Sequence, residues 1–124
     1  AWIDPLTSLL ITIAIGWGSW GLLKNAVRMG LLAVPPGIDP EEVQRWLMSR
    51  PGVSTVHDLH IWPMSTTETA LTAHVEMPGG HPGDPVLHKL AEELAIHFGI
   101  DHSTIQIELG SAPCHLAAHG RHTH

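Results

Sequence analysis

Residues 6–23, LTSLLITIAIGWGSWGLL, carry no charge, and Thr7, Ser8, Thr12 and Ser19 are their only polar side chains. A run of this length meets the lower bound for crossing a ~30 Å hydrocarbon core as a helix, and lipid permits an isolated segment little else. A buried soluble helix or a signal peptide would be the alternatives. A signal peptide, however, places its basic flank before the apolar run, whereas here Asp4-Pro5 precedes it and Lys24 and Arg28 follow. Asp4 suits an N-cap and Pro5 the first helical position. Nothing breaks the pattern before Val34-Pro35-Pro36-Gly37. A helix from Pro5 to Ala33 would be about 43 Å long at ~1.5 Å per residue, so its last turns should leave the bilayer. Lys24 and Arg28 lie on those turns, and the positive-inside rule puts that end, with all that follows, in the cytoplasm of a membrane-bound protein. Ser8, Thr12, Gly16 and Ser19 make a small-residue stripe, the kind of surface on which membrane helices pack in bundles.

The rest of the chain has a different character. Eleven of the 12 acidic residues lie after Val34, against only Arg45, Arg50, Lys89 and Arg121. All 11 histidines fall between His57 and the C-terminus. An acidic, histidine-rich segment binds nucleic acid poorly, because phosphate neutralisation needs clustered Lys and Arg. It suits divalent cations. A single cysteine, Cys114, rules out an intrachain disulfide.

Three divisions follow: residues 1–34, a membrane helix with a cytoplasmic extension; residues 35–110, a small domain; and residues 111–124, a histidine-rich tail without a core-forming pattern. Within the domain, Asp39 caps a helix that opens with Pro40, has Glu42 in the capping-box position and shows an apolar face of Val43, Trp46 and Leu47. Pro51-Gly52 ends it. A strand follows from Val53 to about Met64. The strand from Glu68 to Met77 is cleaner, with Leu71, Ala73, Val75 and Met77 alternating against Thr72, His74 and Glu76. Asp84-Pro85 caps a helix carrying Leu87, Leu90, Leu94 and Phe98 on one face, and Gly99 closes it. From Ser103 to Leu109, Ile105, Ile107 and Leu109 alternate with Thr104, Gln106 and Glu108. The expected fold is α+β, an α-β-β-α-β open-faced sandwich with both helices on the apolar face of the sheet and the other face left polar. So small a core is marginal alone, and a homodimer would help it.

The polar face collects chemistry. Zinc-like ions take imidazole nitrogen and carboxylate oxygen, usually as four tetrahedral ligands. His74 and Glu108 share that face, with Gln106 beside Glu108. Val56-His57-Asp58-Leu59-His60-Ile61-Trp62 is harder to place. If Leu59 and Ile61 enter the core, simple alternation puts Asp58, His60 and Trp62 on the polar face and turns His57 inward, unless His57 sits at the strand's entrance or at a bulge. His88 lies just outside the apolar stripe of the second domain helix. Cys114 and His115 offer a soft pair in the tail, where loose histidines can also buffer metal. No nucleophile–base–orienter set and no glycine-rich phosphate loop is present. A membrane-anchored zinc hydrolase would need an open coordination position and an oriented base, and nothing orients Glu76 or Asp58 for that work. A metal-binding chaperone or sensor on a single anchor is the other alternative.

Trp2-Ile3-Asp4-Pro5, the apolar helix, Val34-Pro35-Pro36-Gly37-Ile38-Asp39, Pro51-Gly52-Val53, His57 to Trp62 and Thr104-Ile105-Gln106-Ile107-Glu108 resemble, in this order, the C-terminal part of cation diffusion facilitators. The resemblance implies a proton-coupled exporter, or antiporter, of zinc or related divalent cations (cobalt, cadmium or nickel) working as a homodimer. Residues 1–34 would be the last of six membrane helices and the remainder a metallochaperone-like, ferredoxin-like cytoplasmic domain. Its metal ligands would fall on His57, His74, His88 and Glu108, with Asp58, His60, Gln106, Cys114 and His115 as auxiliary groups. The binuclear form of the site has a further histidine where this chain has Gln106, and an amide ligates zinc poorly. The family's transport site lies on earlier membrane helices.

Overall fold

A computed structural model describes residues 1–110. It divides into two units, Ala1–Ala33 and the residues from Val34 onward.

The first unit is α1 (Ile3–Gly30), long and apolar enough to cross a membrane. None of its residues is buried. The hydroxyls of Thr7 and Thr12 donate to the carbonyls of Ile3 and Ser8, each at 2.8 Å, so these polar groups are satisfied within the helix. The helix stops three residues before the expected Ala33. Leu32 takes a left-handed conformation (φ 52), while Leu32 N–H donates to Met29 and Ala33 N–H to Arg28. That is the Schellman pattern, reached here without glycine; local backbone closure ended the helix before any proline did.

The second unit contains α2 (Pro40–Met48), β1 (Thr55–Pro63), β2 (Thr69–Glu76), α3 (Asp84–Phe98) and β3 (His102–Glu108). Asp39 caps α2 by accepting the Glu41 N–H at 2.9 Å. The start of α3 differs from expectation: Gly83 (φ 91) is the cap residue and Asp84 is already helical. A side chain inside the first turn still sits favourably beside the positive helix end. Gly99 ends α3 in the left-handed conformation.

The sheet has the order β1-β2-β3. β1 and β2 are antiparallel, and β3 lies parallel to β2 after the α3 crossover. Backbone and side chain of Asp101 both bond Thr69, tying the entrance of β3 to that of β2. One face of β2 presents Leu71, Ala73 and Val75, which join Val56 and Ile61 of β1, Val43 and Leu47 of α2, Leu94 of α3 and Ile100 in one core. The opposite face carries His74 and is free of both helices' apolar stripes, giving the two-layer α+β sandwich.

Candidate metal centre

β1 is not a regular strand. His57 pairs with His74, but the next pair is His60 with Thr72, so Asp58 and Leu59 together stand opposite Ala73. Asp58 has φ 50. An extra residue with a left-handed first position is the geometry of a bulge normally built on glycine, and Asp is among the few other residues that tolerate it. The consequence is a change of parity. Val56 is buried, His57 faces the polar side, Leu59 packs on the core, His60 faces out again and Ile61 is buried. Simple alternation, which turned His57 inward, fails because of this one inserted residue. Nor does His57 sit at the strand's entrance, since β1 begins at Thr55.

Opposite His57, ring contact with His74 is edge-on, with centroids 5.4 Å apart. Glu108, diagonal to His74 in the β2–β3 register, reaches both rings. Its Oε1 lies 2.8 Å from Nδ1 of His74 and its Oε2 3.0 Å from Nε2 of His57. The ligand atoms of His57, His74 and Glu108 all lie within 4.8 Å of one another. Their side chains are 18%, 13% and 18% exposed, a setting dry enough that uncompensated polarity is costly. Nε2 of His57 is fully covered and makes no hydrogen bond, although Oε2 of Glu108 stands 3.0 Å away. Tetrahedral zinc with bonds of ~2.0–2.1 Å would hold its ligand atoms roughly 3.3 Å apart. The three donors thus fit a divalent cation after small adjustments, and the orphaned nitrogen of His57 is the group that such an ion would satisfy.

The remaining sequence candidates divide. Asp58 joins the edge of the cluster, 3.5 Å from Nε2 of His74 and 2.9 Å from Nε2 of His60. Gln106 donates to Oε1 of Glu108 at 3.2 Å, and so positions a carboxylate. His60 is 64% exposed and bonds Asp58. His88 is outside the three-residue group; it lines a separate recess with Leu87, Ala91, Ser103 and Thr104. Cys114, His115 and the tail lie outside the described residues. Sequence reasoning offered a bulge as one of two ways for His57 to reach the polar face but could not choose between them or locate it at Asp58. Its signal was present in the conflict between strand parity and the two histidines.

The model of the cation efflux protein cytoplasmic domain matches residues 35–109. The chain belongs to the cation efflux family, the cation diffusion facilitators. It is 38% identical over 123 residues to the metal cation efflux system protein CzcD of Cupriavidus metallidurans, covering 98% of this chain and 38% of that protein. The zinc transporter ZitB of Escherichia coli is 31% identical over 131 aligned residues, covering 98% and 41% respectively. Among solved structures, a metal-bound C-terminal domain of CzcD from C. metallidurans is 40% identical, covers 58% of this chain and 100% of that one, and superposes with a TM-score of 0.49. This family member's second unit contains the cytoplasmic domain that the family model describes, and α1, the helix before it, is long and apolar enough to cross a membrane. The chain spans about two-fifths of the length of the curated relatives it matches.

Proposed function

We propose that this chain forms the last membrane helix and the regulatory cytoplasmic domain of a proton-coupled divalent-metal exporter of the zinc type, acting as a homodimer and not as an enzyme. On this reading residues 1–34 are the sixth membrane helix, residues 35–110 the metal-binding domain and residues 111–124 an appended tail. The observation that carries it is the convergence of His57, His74 and Glu108 from three strands, with a buried imidazole nitrogen left without a hydrogen bond. Imidazole and carboxylate donors favour zinc and also accept cobalt, cadmium or nickel. His88 would complete or extend the set after a change of position or partner.

His57, His74 and Glu108 would hold a cation between β1, β2 and β3 on the polar face, and its charge would offset that of Glu108. Strands tied in this way would favour one arrangement of paired domains over another, and coupling of this kind is worth typically ~1–3 kcal/mol. The test is calorimetric titration of zinc into the full chain in detergent micelles, beside the His57→Ala and Glu108→Ala variants. Micromolar or tighter binding that both variants weaken supports the site. Absence of such binding in the unsubstituted chain overturns it. The transporter assignment is tested separately in the natural reading frame, where five preceding membrane helices are expected.

A further inference from the structure

The bulge in β1 places Asp58 between two imidazoles. One oxygen, Oδ1, lies 2.9 Å from Nε2 of His60, and the other, Oδ2, lies 3.5 Å from Nε2 of His74. The opposite nitrogen of His74, Nδ1, faces Oε1 of Glu108 at 2.8 Å. Both nitrogens of His74 therefore face carboxylates. A neutral imidazole has one N–H and one lone pair, and only the lone pair can ligate a metal. In this structure Nδ1–H of His74 donates to Glu108; a cation held jointly by Glu108 and Nδ1 of His74 would displace that proton and require the ring proton at Nε2, on the side of Asp58.

We infer that Asp58 is a positioning residue that selects the Nε2–H tautomer of His74 and so presents the Nδ1 lone pair to the metal. The inference rests on the metal-binding reading above. His60 serves the same end one step further out, because its ring bonds the other oxygen of Asp58 and fixes the plane of the carboxylate. His60 is not among the three residues whose ligand atoms cluster. The bulge is what makes this possible. In an unbroken strand two neighbours point to opposite faces, so with His57 on the polar face Asp58 would point into the core. The left-handed turn at Asp58 brings both residues to the polar face, one as a donor to the ion and one as the acceptor behind another donor. Metal-bound histidines commonly give their second N–H to a carboxylate, and loss of that partner typically lowers metal affinity about 10–100-fold.

The test uses the full chain in detergent micelles with ¹⁵N-labelled histidine, titrated with zinc. Long-range ¹H–¹⁵N spectra follow the rings of His57 and His74 individually, apart from the imidazoles of the tail. In the zinc-loaded chain, His74 is expected to carry its proton on Nε2 and its metal shift on Nδ1. Asp58→Asn keeps a residue suited to the left-handed conformation but removes the charge, and should weaken zinc binding at His74 about 10–100-fold. Asp58→Gly keeps the bulge, removes the acceptor and should weaken binding at least as much, while the metal-free melting temperature of both variants stays unchanged. Zinc on Nε2 of His74, or wild-type affinity in both variants, overturns the inference and leaves the metal site standing. Failure of the unsubstituted chain to bind zinc at His57 and His74 overturns both.

Discussion

The two faces of β2 are built from the same strand and do opposite work. Leu71, Ala73 and Val75 point to one side, where Leu71 is 0% exposed, and their burial holds α2 and α3 to the sheet. His74 points to the other, where it is nearly as dry at 13% but is surrounded by His57, Asp58 and Glu108. On the apolar face, burial itself stabilises. On the polar face, burial has a cost that hydrogen bonds, ion pairs or a cation must offset. One strand thus separates stability from ligand chemistry by the alternation of its side chains.

That separation is broken most directly by substituting each face. Leu71→Ala opens a cavity in the core and should cost about 2–5 kcal/mol, read from urea unfolding of the metal-free chain; a loss below ~1 kcal/mol would mean that the core closes elsewhere. His74→Ala should act the other way round. Zinc affinity at the site should fall at least ~100-fold, equivalent to about 2.8 kcal/mol at ~1.4 kcal/mol per decade, with metal-free stability changing far less than for Leu71→Ala. Acid sharpens the same contrast. Imidazole ligates a cation only in its neutral form, so protons compete with the metal for the same nitrogens. Affinity should therefore fall as pH drops from 8 to 5.5, and an affinity flat across that window would exclude histidine ligation.

A third substitution addresses the backbone that lets β1 serve both faces. Asp58→Ala keeps the strand's length but puts a residue poorly suited to positive φ at the bulge. It should cost roughly 1–2 kcal/mol of stability in the metal-free chain, whereas Asp58→Gly should cost little, since glycine enters that region freely. Equal losses from the two would show that the side chain, rather than the left-handed backbone, limits stability here.

The same contrast explains what could be read from sequence. Alternation in β2 was legible because one face is wholly apolar, and the core residues Leu71, Ala73 and Val75 followed directly. The α-β-β-α-β order, the Asp39 cap and Gly99 at the end of α3 were legible because local chemistry dictates them. The site was less so. Pairing of His57 with His74 depends on an inserted residue whose effect is to reverse parity, and period-two reasoning cannot see it. The reach of Glu108 to both rings depends on register as well as on its longer side chain, because the direct neighbour of His74 on β3 is Gln106. The end of α1 at Gly30 was also hidden, since the left-handed cap falls on Leu32. His88 sits on the right helix, but helical periodicity alone could not tell that its ring lines a recess with Ser103 and Thr104.

The smallest effect lies where the two helices meet away from the polar face. Arg50, just past α2, places a guanidinium nitrogen 2.9 Å from Oε2 of Glu93 on α3 and its guanidinium carbon 4.1 Å above the ring of Trp46. Both side chains of the ion pair are about a third exposed (33% and 27%), so water screens the attraction, and such pairs contribute typically ~0.2–1 kcal/mol. The stacking on Trp46 adds a comparable increment at an exposed site. Arg50→Lys keeps the charge but loses the planar fork and most of the stacking, while Arg50→Ala loses both. Unfolding in low salt should rank the chains wild type, Arg50→Lys and Arg50→Ala, all within about 2 kcal/mol, and the ion-pair part of the difference should shrink in high salt. Zinc affinity should not follow this ranking. Should Arg50→Ala weaken zinc binding as much as His74→Ala does, the helix layer and the polar face would be one cooperative unit, and the separation of the two faces of β2 would fail.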